Sequence, residues 1–504
     1  MTHPQTRTLL RALLEAPELD CVTWPSFRVY WVSVAQQAAE ALHEPRLAGV
    51  MIHTDTFKRW LAGTAVARGD ARSILEFWFG KSVEQLRQPV PEREIVRGRD
   101  LNRRTYTAAR ALDYDWPTSQ LVLGEPAAGI GGTWELTGGR LFDGTSIGVQ
   151  VYEATPSEDA VAIGADDLSH LQTVVRSSRL GLVLTSLGAA GGSGLYVIDA
   201  AHSRLQLQHG DEQQRVPRAY QLDDLTYALI WSLHVLDDGL LADDSTLTER
   251  ADELRHYVQL SASAPARSLM PGLSPAGAAW LGSSLCAQYI VRHLDGPPEA
   301  PAFWTREHTG EECAPWLYFR HKHDYLQTVS RRFSDVGKTV GRAFCVPEAT
   351  VRSSERYERI LLFLTVAMME MNDIKIWLCA EPEYEQIEGF ALSPGRAILA
   401  SWVREDAVWR VGTTTARRDI ASYREAIEHA RTHNLVDGPT PAIRLRALAE
   451  YLDLDWTWLL VRCRALAEEG TANMLRPRSR LLTLQALDQT LHFIGTLGSR
   501  LDGH

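Results

Sequence analysis

The stretch Leu47–Gly80, LAGVMIHTDTFKRWLAGTAVARGDARSILEFWFG, decides how the first part of this chain reads. Thr54 stands as the N-cap of a short helix, TDTFKRWLAG, with Asp55 in its first turn and Gly63 at the C-terminal stop. On such a helix Phe57, Trp60 and Leu61 share one side and pack inward, whereas Thr54, Thr56, Lys58 and Arg59 lie elsewhere. The spacing predicts a second helix over Asp70–Phe79 that buries Ile74, Leu75, Trp78 and Phe79 and stops at Gly80. A last short piece, Ser82–Gln88, carries Val83 and Leu86 inward. Upstream, Phe27, Trp31, Val34, Ala35, Ala38 and Leu42 recur at helical spacing across Thr23–Leu42, until Pro45 and Ala48-Gly49 interrupt the pattern.

Short helices joined by a tight turn, one of them with buried aromatics and outward polar residues, suit a helix-turn-helix unit, whose second helix enters the major groove. By position Thr54, Thr56 and Lys58 face bases, and Arg59, Arg68 and Arg72 lie nearer phosphate. Against this, Asp55 repels phosphate, and a helical protein-docking module has the same outline.

The run SFRVYWVSVAQQAAEAL…PRLAG…HTDTFKRWLAG…ARSILEFWFGKSVEQL resembles the N-terminal domain of actinobacterial Cro/C1-type (XRE-like) helix-turn-helix regulators. The resemblance is carried by Arg59-Trp60-Leu61-Ala62-Gly63 at the end of the reading helix and by Ile74–Gly80 in the helix that follows. It covers about 65 residues and departs from the family pattern at Asp55 and at Thr64-Ala65-Val66. It implies double-stranded DNA as a partner, homodimerisation, and a small-molecule or protein effector for the remainder of the chain. The phrases DDLTYALIW, FWTREHTGEE and EGFAL…ASWVR are similar to the large C-terminal regions of the same regulators, which brings association without mechanism.

Composition bounds the rest. At 504 residues the chain has room for two to four domains. The net charge of -11 is uneven: 151–257 holds 17 Asp/Glu against 7 Arg and no Lys, while 1–110 holds 16 Lys/Arg against 12 Asp/Glu. Acidity is therefore central and the N-terminal part mildly basic. Six scattered cysteines without a CxxC pair suit buried thiols. No signal peptide is visible, and the longest apolar run, Ile360–Met369, is too short to span a membrane, so a cytoplasmic protein without membrane partners is expected.

Pro89–Arg104, PVPEREIVRGRDLNRR, reads as an arginine-rich linker lying along phosphates. Beyond Gln120, apolar runs bounded by glycine predict strands. Gly188–Gly194 leads into another strand-like run rather than a helix, so it reads as a hairpin turn and not as a dinucleotide loop. Gly337-Lys338-Thr339 lacks the glycine a phosphate loop needs, because Arg332 holds that position. The Asp pairs 223/224, 237/238 and 243/244 in the helical stretch 219–260 read as caps and a solvated acidic face. Pro301–Leu326 is the densest polar stretch; it reads first as structural packing of a polar helix, with an anion- or ligand-binding surface from Trp304, Arg306, Arg320, His321 and Lys322 as the alternative. Its histidines and Cys313 lack metal-ligand spacing, and no nucleophile elbow occurs anywhere, so neither catalytic nor metal residues nor a cofactor are assigned. Gly389–Gly412 predicts a hairpin turning at Arg404-Glu405-Asp406, and Pro441–Glu469 a helical hairpin.

The expected architecture is multidomain. An all-α helix-turn-helix domain (1–90) and a linker (91–115) precede an acidic α+β domain (116–265) and a mostly helical α+β domain (266–504). The expected function is a dimeric, sequence-specific DNA-binding transcriptional regulator, not an enzyme. The alternatives are an enzyme or ligand-binding protein using the His308–Asp324 cluster, or a docking scaffold.

Overall fold

The computed structural model describes residues 8–14, 21–88, 99–123, 131–164, 167–168, 170–172, 181–187, 194–208, 213–263, 272–294, 300–334 and 339–498. The chain forms two compact units: Met1–Thr137 with Ser146–Gln221, and Gly138–Thr145 with Leu222–His504. The expected α+β, multidomain character is present, with helices throughout and two seven-stranded sheets.

The first unit begins with α1 (Leu9–Leu14), α2 (Trp24–Ala41), α3 (Thr54–Leu61), α4 (Asp70–Phe79), α5 (Val83–Leu86) and α6 (Arg99–Asp115). Their core is aromatic. Phe27 stacks on Phe57 at 4.1 Å and contacts Trp78 at 5.6 Å, and Trp31 meets Trp60 at 6.0 Å. The α2–α3 connection is not a tight turn. His43 takes a left-handed φ of 53°, Pro45–Gly49 forms a 3-10 turn that buries Leu47, and Trp31 Nε1 donates to Val50 O at 2.9 Å. The segment 42–53 is thus a packed element of its own, longer than the three or four residues that join a helix-turn-helix pair.

The 91–115 linker gives way largely to helix. α6 spans Arg99–Asp115, packs on α4 and the first strand, and buries Tyr106 and Leu112; 89–98 lies outside the described residues. Arg104, expected along phosphate, pairs with Glu153 at 3.3 Å and with Asp167, and Arg110 pairs with Glu44. The sheet that follows comprises β1 (Ser119–Leu123), β2 (Gly132–Leu136), β3 (Thr145–Pro156), β4 (Ala160–Ile163), β5 (Leu182–Leu187), β6 (Leu195–Asp199) and β7 (Gln214–Pro217), with α7 (Ala200–Gln208) after β6. Strands run β1-β2-β3-β4-β7, and β5 joins β3 in parallel. β5 and β6 pair antiparallel from Leu182↔Asp199 to Ser186↔Leu195, the arrangement of the predicted hairpin; its turn residues 188–193 lie outside the described residues.

The second unit starts with α8 (Asp224–Ala242) and α9 (Asp244–Val258), on the C-terminal side of the unit boundary rather than before a boundary near 265. The reason is packing: α8 is buried from Leu225 to Val235 on nearly every side, which a single amphipathic stripe does not achieve. It lies against α10 (Pro275–His293), α11 (Gly310–Tyr318) and the helix Arg356–Met371. Tyr318 of α11 bonds Ser232 Oγ at 3.0 Å and donates to Leu229 O at 3.2 Å. Further helices are α12 (Arg320–Ser334), α13 (Glu348–Ser353), α14 (Arg356–Met371), α15 (Arg417–Thr432), α16 (Pro441–Tyr451), α17 (Trp456–Glu469) and α18 (Gln485–Leu497).

The strands of this unit are β8 (Ala262–Ser263), β9 (Ala302–Thr305), β10 (Val340–Cys345), β11 (Ile374–Cys379), β12 (Phe390–Ser393), β13 (Arg396–Ser401) and β14 (Arg410–Thr414). They are ordered β11-β10-β9-β12-β13-β14-β8, with β9, β10 and β11 parallel and the rest antiparallel. Helices α11–α12 and α13–α14 make the crossovers that parallel neighbours require. α15 covers one face of the sheet through Ala426, Ile427 and Ala430, over Trp304, Ala343, Cys345, Cys379 and Phe390. The predicted hairpin is β13–β14, with Arg404 at a left-handed φ of 53°. The predicted helical hairpin is α16–α17, turned by Asp453 at φ 52° and capped by Asp455, which accepts from Trp458 N. Of the Gly337-Lys338-Thr339 segment, 337–338 lie outside the described residues.

The Asp pairs have internal partners. Asp223 caps α8 in a capping box with Thr226 and meets Arg462 Nε at 2.5 Å. Asp224 faces Arg356 at 3.2 Å, and Asp243 accepts from Ser274 N and Oγ ahead of α10. Asp237, 1% exposed, accepts from Arg478 N, Ser479 N and Arg478 Nε, while Asp238 takes the other side of the same guanidinium. Among the described residues no helix is long and apolar enough to cross a membrane. All six cysteines are buried and none forms a disulfide.

Asp237→Ala leaves the Arg478 and Ser479 backbone N–H groups without an acceptor and the Arg478 guanidinium to Asp238 alone, a loss of about 1–3 kcal/mol for each buried donor left unmade. Chemical denaturation followed by tryptophan fluorescence should show the second unit unfolding at markedly lower denaturant; an unchanged midpoint would refute the clamp.

Candidate functional site

α3 starts one residue earlier than its sequence suggests. His53 takes the N-cap position, Thr56 N and Phe57 N bond His53 O at 3.0 and 3.1 Å, and no side chain caps the first turn. The uncapped N–H groups and the helix dipole make this end favourable to an anion, and Asp55 opposes that. The other end closes tightly. Gly63 adopts φ 67°, Gly63 N bonds Trp60 O, and Thr64 N bonds Arg59 O, the paired bonds of a Schellman motif. Arg87 Nε then donates to Gly63 O at 2.9 Å. Ser82 and Gln85 cap α5 reciprocally, so the whole 54–88 segment ends in satisfied turns.

Phe57 and Trp60 are buried, Thr54 and Thr56 half-buried, and Lys58, Arg59 and Arg68 exposed. Lys58 and Arg68 make no ion pair among the described residues; Arg59 Nε reaches only Asp55 O, at 3.3 Å. Arg72 is exposed but engaged, 3.0 Å from Glu76 and 3.5 Å from Glu84. Glu76 in turn is buried and accepts from Val83 N, and burial raises its pKa. Arg72 therefore belongs to the α4–α5 junction rather than to the free cationic set.

The five residues expected as an anion surface do not form one. Trp304 lies on the α15 face of the sheet, stacked on Phe390 at 6.1 Å. Lys322 lies in a separate buried cluster, where Glu307 Oε1 accepts from Trp316 Nε1 at 3.0 Å, Trp402 Nε1 at 3.0 Å and Lys322 Nζ at 3.4 Å. The ammonium also sits 3.7 Å over the Trp316 ring. Arg306 is paired with Glu405, His321 Nε2 bonds Ser283 Oγ at 2.9 Å, and Arg320 is exposed.

The carboxylates of the same stretch are likewise occupied from within. Thr309 and Glu312 form the capping box of α11, and Glu312 holds Arg404 at 3.2 Å. Glu311 accepts from Arg140 N, Leu141 N and Phe142 N at 2.7–2.9 Å. That grip requires glycine at 139, because a Cβ there would come within 2.3 Å of the Glu311 carboxylate. His308 Nε2 is 3.3 Å from Glu385 and its Nδ1 is 3.7 Å from Glu312. Burial, reinforced by Arg404, lowers its pKa to about 4 against the pull of Glu385. The carboxylates of the His308–Asp324 region are thus engaged within the fold, while His308 Nδ1, His321 Nδ1 and His323 Nδ1 are buried without a hydrogen-bond partner.

No protein-family model, curated protein or solved structure matches this chain.

His308 is neutral in the fold, whereas in the unfolded chain it protonates near its ordinary value of about 6.5. Between about pH 4 and 6.5 the unfolded state binds more protons, so the contribution is complete above that window and lost as pH falls through it. The stability of wild type minus that of His308→Asn, measured by urea unfolding from pH 7 to 4, should shrink by on the order of 2–3 kcal/mol. A pH-independent difference would show that the imidazole is not held neutral.

Proposed function

We propose that this chain is a sequence-specific DNA-binding transcriptional regulator that acts as a dimer, with α3 as the reading helix and the second unit as effector or assembly region. The observation that carries the reading is the two-sided character of α3. Phe57 and Trp60 anchor it in an aromatic core, while Lys58 and Arg59 project outward without a carboxylate partner among the described residues. In this reading Thr54, Thr56 and Lys58 approach base edges, and Arg59 and Arg68 approach phosphate. The helix is presented by its aromatic core rather than by a tight turn, so the docking geometry differs from an ordinary helix-turn-helix pair.

A single eight-residue helix with one opposing carboxylate binds a half-site weakly, and a second copy supplies the missing affinity. Val29 and Val32, three residues apart on α2 and 73% and 41% exposed, form a short apolar strip that a second copy would cover. Against the enzyme reading, Glu307, Glu311 and Glu312 are already engaged by cations and backbone N–H groups of the fold.

Binding to mixed genomic DNA fragments, titrated from low to physiological salt, tests the proposal. Affinity should fall steeply with salt, Lys58→Ala/Arg59→Ala should remove the binding or flatten the slope by about 1 per lost phosphate contact, and Asp55→Asn should strengthen it. Absence of binding at low salt, or binding indifferent to these substitutions, would sink it.

A further inference from the structure

A second cluster of chemistry-bearing side chains lies where the parallel strands end. Cys345 closes β10 and Cys379 closes β11, and the two are paired in register. Both side chains point to the face covered by α15, whose last turn carries His429. The chain leaves β11 through Ala380 to Glu381, which returns its carboxylate toward that helix, and His429 Nε2 stands 3.0 Å from Glu381 Oε2. One ligand atom each from Cys379, Glu381 and His429 lies within 4.8 Å of the others. Cys345 Sγ donates to Glu381 O at 3.2 Å, beside the same group. In open α/β sheets the carboxyl ends of parallel strands are where ligands are held.

Three features separate this cluster from an ordinary packed corner. His429 Nε2 is buried, and its contact with Glu381 Oε2 is not a well-aligned hydrogen bond. The imidazole plane is set from both sides, by Tyr384 stacked at 4.1 Å and by His433 stacked at 4.1 Å. The sulfurs are buried, whereas the Glu381 side chain is 39% exposed and His429 18%, which leaves an entry path from one side.

We propose that Cys379 Sγ, His429 Nε2 and a Glu381 carboxylate oxygen bind one zinc ion, with Cys345 Sγ as the fourth ligand. The donor set of thiolate, imidazole and carboxylate suits a borderline-soft, tetrahedral cation and disfavours calcium or magnesium, which take oxygen ligands. On binding, the two thiols lose their protons to solvent and the imidazole coordinates as the neutral base. The bound ion ties the ends of β10 and β11 to α15 and to the turn at Pro382–Tyr384, elements that sequence leaves far apart.

The full chain, equilibrated with buffered zinc chloride and freed of excess metal, should retain about one zinc per chain by mass spectrometry of the metal. Loading should release about two protons and raise the thermal midpoint by about 5 °C at zinc well above its dissociation constant. Cys379→Ser and His429→Ala should each abolish retention and the thermal shift while circular dichroism stays unchanged. Should the buried Cys379 substitution disturb folding, His429→Ala at the partly exposed edge carries the test. No retained zinc in the wild-type chain, equal retention in both variants, or a Cys345–Cys379 disulfide in the purified protein would overturn the proposal.

Discussion

The buried Glu307 carboxylate is the interaction on which the second unit most depends. It emerges just past β9 and receives two indole N–H groups and one ammonium, from α11, α12 and the segment after β13. A lone carboxylate in such surroundings would be driven to its protonated form. Burial does push its pKa upward, but Lys322 and the donors around it outweigh that and hold it below the ordinary value. The charge therefore persists only while all three elements converge, which makes it a point of mutual constraint. Neighbouring groups extend the constraint: Glu312 caps α11 and holds Arg404, and Glu311 gathers the backbone of 140–142.

The same logic governs the acidic middle of the chain. Its carboxylates are matched by arginines more than two hundred residues away, with Asp223 on Arg462, Asp237 and Asp238 on Arg478, and Asp244 on Arg480. The acidic stretch and the basic Arg476–Arg480 segment are two halves of one seam, and the central negative charge does not need a nucleic-acid or metal partner to explain it. Glu370, buried in α14 and gripped bidentately by Arg444, repeats the pattern.

In the first unit, packing rather than charge sets the architecture. Trp24, Phe27, Trp31, Phe57, Trp60 and Trp78 form a contiguous aromatic core, and such large rings fix helix positions through area and stacking together. Because the core grips α3 by Phe57 and Trp60, the residues between and beside them are turned outward with little freedom of choice. The proposed reading face is a consequence of that grip.

Local signals decided what was legible in the amino-acid order. Spacing and punctuation placed α3, α4 and their glycine stops, the β5–β6 and β13–β14 hairpins and the α16–α17 turn, because each depends on residues within a few positions of one another. Position 54 was misread as a cap since an uncapped His53 leaves no local trace. The fates of Arg104, Arg306 and Lys322 were hidden for a different reason: a cation's partner is chosen by the fold, and theirs lie on other elements. Cys345, Cys379, Glu381 and His429 show the limit most plainly. Only the Cys379-x-Glu381 step is local, and parallel strands bring distant residues together through crossovers whose length carries no record of the register. Sequence by itself determined the helices, hairpins and inward aromatic faces, whose causes are short-range. Only the tertiary structure decided which charges are free to meet a partner, because burial and pairing are properties of the assembled chain.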